Sequence, residues 1–68
     1  MTIEDMVKDT GTLGKVFVGH LNSYLLYEMP MAKDYAEYEL KMIGKLYPTH
    51  YDVAKHLYDG CINQNLYK

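Results

Sequence analysis

The chain has 68 residues, about half of them apolar, and its nine acids against seven lysines and no arginine give a formal charge of −2. That balance excludes a strongly electropositive surface, and the lack of arginine removes the bidentate fork that reads guanine and grips phosphate. One cysteine excludes an intramolecular disulfide. So small a domain then draws extra stability from self-association or from a partner.

Taken in order, Thr2 followed three residues later by Asp5 forms a capping-box pattern ahead of a short helix with one apolar edge, Ile3, Met6 and Val7. A terminus that orders only against a neighbour is the plainer alternative. Thr10-Gly11-Thr12 ends this piece.

The stretch Thr12–Met29 is the most apolar of the chain and is expected to form the central helix. Leu13, Phe17, Val18, Leu21, Tyr24 and Leu25 recur at helical spacing on one face. The opposite face carries Thr12, Val16, Gly19, Ser23 and Leu26, small or apolar rather than charged. A helix of this kind is normally covered on two sides, so Val16, Gly19, Ser23 and Leu26 are the expected self-association ridge, with a homo-oligomer, most simply a dimer, as the result. A hairpin of KVFVGHL and YLLYEM is the competing reading, weakened by poor alternation and by Asn22-Ser23 as a turn.

Pro30 closes the central helix and opens the next, since the residue before proline is pushed out of the α region while proline itself fits the first helical turn. The second long helix is expected from about Met31 to Tyr47, with Ala32, Tyr35, Ala36, Leu40, Ile43, Leu46 and Tyr47 facing the core and Asp34, Lys41 and Lys45 facing away. Glu37 and Lys41 are spaced for an ion pair. Tyr38 and Met42 fall on the outer face as an aromatic and thioether patch. Glu39 lies on the apolar arc and is expected at its rim, with tyrosine hydroxyls, His20 or His56 as the donors available were it buried; Glu28 sits similarly on the central helix.

Pro48 stops that helix. Thr49 with Asp52 three residues on repeats the capping pattern and predicts a last helix from Thr49 to about Asp59, ended or weakened at Gly60. It presents Val53, Ala54, Leu57 and Tyr58, then Cys61 and Ile62. The tail NQNLYK reads as loosely held, with Leu66 and Tyr67 able to dock back. No repeat, linker or low-complexity run divides the chain.

The expected fold is therefore all-α, a single domain of three to four helices around a central apolar one. No metal is expected, because His50, His56 and Cys61 match no common zinc spacing and, with His20, read as exposed histidines beside a half-buried thiol. No cofactor is expected either. Gly11, Gly14 and Lys15 lack the spacing of a phosphate loop, and no nucleophile stands with a base, so the chain reads as non-enzymatic.

Eight tyrosines and five methionines beside one phenylalanine suit a surface that is wet at times and buried at others. The expected function is that of an adaptor or inhibitor of a larger protein, touching it through Tyr27, Met29, Met31, Tyr38 and Met42; small regulators of viruses and mobile elements share this profile as a class. The runner-up is a helix-turn-helix-like DNA-binding regulator using the last helix, which a net-negative chain supports poorly. No apolar run is long enough to span a bilayer, TIEDMVKD lacks the character of a secretory signal, and the free thiol suits a reducing compartment, so a cytoplasmic location is expected.

Overall fold

A computed structural model describes residues 2–63 of the chain. The expected docking of Leu66 and Tyr67 lies outside the described residues. The order of elements is α1 (Ile3–Thr10), α2 (Thr12–Tyr27), α3 (Pro30–Leu46), a 3₁₀ turn (Pro48–His50), α4 (Tyr51–Tyr58) and a π-helical turn (Asp59–Asn63). The fold is all-α, and the hairpin alternative for the central stretch is not adopted.

Each helix packs on the next, and α4 closes the ring against α1. The long α2–α3 pair is the spine. Between the helices lies a core of Met6, Phe17, Leu21, Ala36, Leu40, Ile43, Ala54, Leu57, Tyr58 and Cys61. Met6, Phe17, Leu21 and Ile43 are its largest fully buried side chains, each worth about 1.5–3 kcal/mol of burial. Ala32 and Ala36 are buried along α3, their small side chains letting it lie close to α2.

The ends of the helices follow from a few residues. At the start of α1 the Asp5 amide donates to Thr2 Oγ1 at 3.1 Å and the Thr2 amide donates back to Asp5 Oδ2 at 3.3 Å, so the first capping box is formed. Gly11 joins α1 to α2 alone, at φ +64° and ψ −130°, a positive-φ conformation that glycine enters readily and residues with a Cβ rarely adopt. Its amide donates to the Val7 carbonyl at 2.9 Å while its carbonyl accepts from Lys15 at 3.1 Å, so one residue serves both helices.

Three residues on, Gly14 is buried where α2 crosses α1. A Cβ there would collide with Thr10 Oγ1 and come within 3.0 Å of the Val7 Cα. Thr10 is in turn fixed, its hydroxyl donating to the Met6 carbonyl at 2.6 Å.

Helix α2 ends at Tyr27 rather than Met29. Glu28 takes the left-handed cap at φ 51°, its amide donating to the Tyr24 carbonyl at 2.9 Å. Glu28 is thus exposed beyond the helix, not on its apolar arc. Met29 is extended, as a residue before proline must be, and Pro30 begins α3.

The second capping box does not form. Pro48 starts winding the chain at once, which draws Thr49 inside a 3₁₀ turn and denies it the extended backbone an N-cap needs. Helix α4 begins at Tyr51, behind His50, without a side-chain cap. At its other end the α-helix stops at Tyr58 and, around Gly60, where it is expected to end or weaken, widens into a π turn that buries Gly60 and Cys61. Cys61 is buried rather than half-exposed, and burial pushes its thiol above the usual cysteine range. His50, expected in solvent, is buried as well, with Nε2 3.1 Å from Asp9 Oδ2, a side-chain contact tying the 3₁₀ turn to α1.

Candidate docking surface

Viewed along its axis, α3 divides into three arcs. Ala32, Ala36, Leu40 and Ile43 are buried on the first. Lys33, Asp34, Glu37, Lys41 and Lys45 are all exposed on another, where the Lys41 ammonium lies 3.8 Å from Glu37.

The third arc carries Met31, Tyr35, Tyr38, Met42 and Leu46, at intervals of four, three, four and four residues. At about 100° per residue these five positions fall on a narrow strip roughly 100° from the centre of the buried arc, on the side next to α2. Met31, Tyr35, Tyr38 and Leu46 are between 49% and 64% exposed, and Met42 is half-buried. No charged side chain interrupts the strip.

This corrects two expectations. Tyr35 and Leu46, assigned to the core, belong to the outer strip, because α2 and α4 fill the inner arc with Ala32, Ala36, Leu40 and Ile43 and leave no room beyond it. Met42, assigned to the outer face, lies in the middle of the strip, half-buried between its neighbours. The near-heptad spacing is the signal that joins all five; a single wide core arc absorbs two of them.

The outer side of α2 continues this surface. Val16 is partly exposed, Gly19 has no heavy atom within 4 Å of where a Cβ would stand, Ser23 is half-buried and Leu26 is 72% exposed. The four residues expected for self-association therefore share the outward crest of α2, where Val16, Gly19 and Leu26 are exposed among the described residues and Ser23 is half-buried. Tyr27, at 71% exposure, and Met29 carry the apolar surface around the turn into Met31. All five residues expected to touch a partner thus border one region, the α2–α3 turn and the strip that leads from it.

Where α2 and α3 meet, a polar unit is set into the floor. Glu39 is buried, not at the rim, and His20 Nδ1 donates to its Oε1 at 2.7 Å, the carboxylate being acceptor only when ionised. The imidazole also stacks on Tyr35, with ring centroids 5.2 Å apart and planes 26° from parallel. Glu39 could enter the apolar arc because a donor from the neighbouring helix meets it there. His20 thus holds Glu39 on one side and the Tyr35 ring of the strip on the other.

Two shallow depressions flank the helices. One is lined by Tyr24, Leu25, Glu28, Pro30, Lys33, Asp34 and Ile62, the other by Thr2, Ile3, Asp52, Val53, His56 and Leu57. The second gathers a hydroxyl, an imidazole and a carboxylate, but Thr2 Oγ1 is already committed to the Asp5 amide. Among the described residues no three histidine, cysteine, aspartate or glutamate side chains converge as metal ligands, and no helix is long and apolar enough to cross a membrane.

On α4 the outward side chains are Asp52, Lys55 and His56, with Asp59 partly exposed. Lys55 is bound by Asp59 at 3.1 Å, so the single lysine of this face is already neutralised. Compared with known protein families, with curated proteins and with solved structures, the chain matches none.

Proposed function

We propose that this chain is a non-enzymatic binding module, an adaptor or inhibitor, whose α2–α3 side docks onto a larger protein. The observation that carries the reading is the uncharged strip Met31, Tyr35, Tyr38, Met42 and Leu46, running the length of α3 and joined through the turn to Met29 and Tyr27. A domain of this size has little reason to leave so many large apolar side chains in water unless something covers them. Tyrosine and methionine suit a surface that must be covered and uncovered: the first offers area at small conformational cost, the second a pliant contact.

The test is affinity capture from cell lysate with three baits: wild type, Tyr38→Ala/Met42→Ala, and Lys55→Ala on the far side of the fold. A protein retained by wild type and Lys55→Ala but lost from the double variant supports docking through α3. Retention by all three baits, or a preference lost only with Lys55→Ala, refutes it. Salt-sensitive retention of duplex DNA by wild type would point to the last helix instead.

A further inference from the structure

We infer that the α3 strip pairs with the same strip of a second copy of this chain, antiparallel, and that the free protein is a dimer. The inference rests on the reading of this side as a docking surface and commits to its first occupant.

Two observations single out a second copy. The first is area. Aromatic side chains bury about 150–250 Å² each, so Tyr35, Tyr38 and Tyr27 at their observed exposure, with Met31, Leu46 and Val16, offer on the order of 600 Å² per copy. Two copies together reach about 1,200 Å², the lower edge of stable interfaces and well above what lattice-type contacts bury.

The second is charge. Asp34 and Lys41, one heptad apart, lie with Lys45 along the edge of the strip opposite Glu39. With α3 antiparallel to its partner, Met31 meets the partner's Met42 and Tyr35 meets the partner's Tyr38. Asp34 then lies beside the partner's Lys41, and Lys41 beside the partner's Asp34, so the twofold makes two opposite-charge contacts from one pattern. Parallel pairing would instead set this edge against the partner's α2-side edge, bringing Asp34 toward the partner's Glu39, acid against acid. The Lys41 contact with Glu37 is exposed and 3.8 Å long, a weak hold on the ammonium. On the α2 side the strip is bounded by Glu39 and His20, which are hydrogen-bonded to each other within one chain.

Sedimentation equilibrium from about 1 to 500 µM tests this, with the fold of every variant checked by circular dichroism. Wild type should move from one to two times the 7.9 kDa chain mass. Tyr38→Lys should weaken pairing at least a hundredfold; should that variant not fold, Met31→Lys, nearer the end of the strip, reads the same seam. Asp34→Lys and Lys41→Asp should each weaken pairing about three- to tenfold, and the double variant Asp34→Lys/Lys41→Asp should return it to within about twofold of wild type.

A wild type that stays monomeric at 500 µM overturns the inference. So does a dimer indifferent to Tyr38→Lys but broken by Gly19→Leu, which would put the seam on the crest of α2, and so does a charge-swapped double variant no tighter than the singles. The two readings fail separately: a monomer that still captures a target through Tyr38 ends self-pairing alone, whereas a dimer that captures nothing ends the adaptor reading alone.

Discussion

Gly14→Ala and Gly19→Ala make the same chemical change in the same helix and should move stability in opposite directions. Alanine in an exposed helix interior gains about 0.8–1 kcal/mol over glycine, and at Gly19, where nothing lies within 4 Å of the new methyl, that gain is realised in full. At Gly14 the same gain is set against a methyl that collides with Thr10 Oγ1 and lies 3.0 Å from the Val7 Cα. Neither can yield cheaply: the hydroxyl is tied to the Met6 carbonyl and the Cα is backbone. Overpacking of this sort costs about 1–3 kcal/mol, and two stiff neighbours place it in the upper half of that range, for a net loss of about 1–2 kcal/mol.

A domain of 68 residues holds about 3–10 kcal/mol in total, so the loss is easily seen. Urea unfolding followed at 222 nm, at low micromolar concentration to keep association out of the measurement, should put the two midpoints on either side of wild type, with similar slopes. Adding Thr10→Ala to Gly14→Ala should recover part of the loss. Should Gly14→Ala prove as stable as Gly19→Ala, the tight α1–α2 crossing is wrong.

The capping boxes give a second contrast: Thr2→Ala should cost about 0.5–2 kcal/mol, whereas Thr49→Ala, where no cap forms, should stay within about 0.5 kcal/mol of wild type in the same urea assay. His20→Ala takes the donor from buried Glu39 and should cost about 1–3 kcal/mol, while His20→Leu/Glu39→Leu, which removes both partners, should lose less than either single change; thermal melts of the set decide it. Cys61 should react with a thiol reagent only as fast as the domain opens, so labelling at bulk rate in native buffer would contradict its burial. Tyr58 titrates above the usual tyrosine range because burial disfavours its phenolate, with Glu37 and Asp59 adding to the effect. A raised native value means the unfolded chain ionises first, so stability is intact below about pH 10 and falls as pH climbs toward the folded value. Tyr58→Phe should flatten that alkaline decline in melts taken from pH 9 to 11.

Helix positions are readable because proline and glycine punctuate the chain: Gly11, Pro30 and Pro48 each fall where one helical piece gives way to the next. The α2 stripe is legible for the same reason that a helix can be recognised at all, Phe17 and Leu21 being one turn apart and deep in the core. Three things are not legible. The start of α4 escapes a local reading because Pro48 winds early and draws Thr49 into a 3₁₀ turn, whereas its α-helical end at Tyr58 falls within a residue of the expected one. The burial of Glu39 and His50 depends on donors and acceptors that arrive from other helices, His20 and Asp9, at sequence distances no local pattern reaches. Tyr35 and Leu46 are misassigned because period alone shows that a helix has an apolar side, not that α3 has two.

The joints of this fold are nearly as short as joints can be: Gly11 alone between α1 and α2, Glu28 and Met29 before α3, Tyr47 before the 3₁₀ turn. No long loop is present among the described residues to reshape itself around a guest. Whatever seats on α3 must therefore accept the helix as it stands, and little ordering entropy is surrendered at the moment of contact. Calorimetry of such an encounter should show a heat-capacity decrement set by the covered apolar area alone, with none of the excess that accompanies folding upon binding.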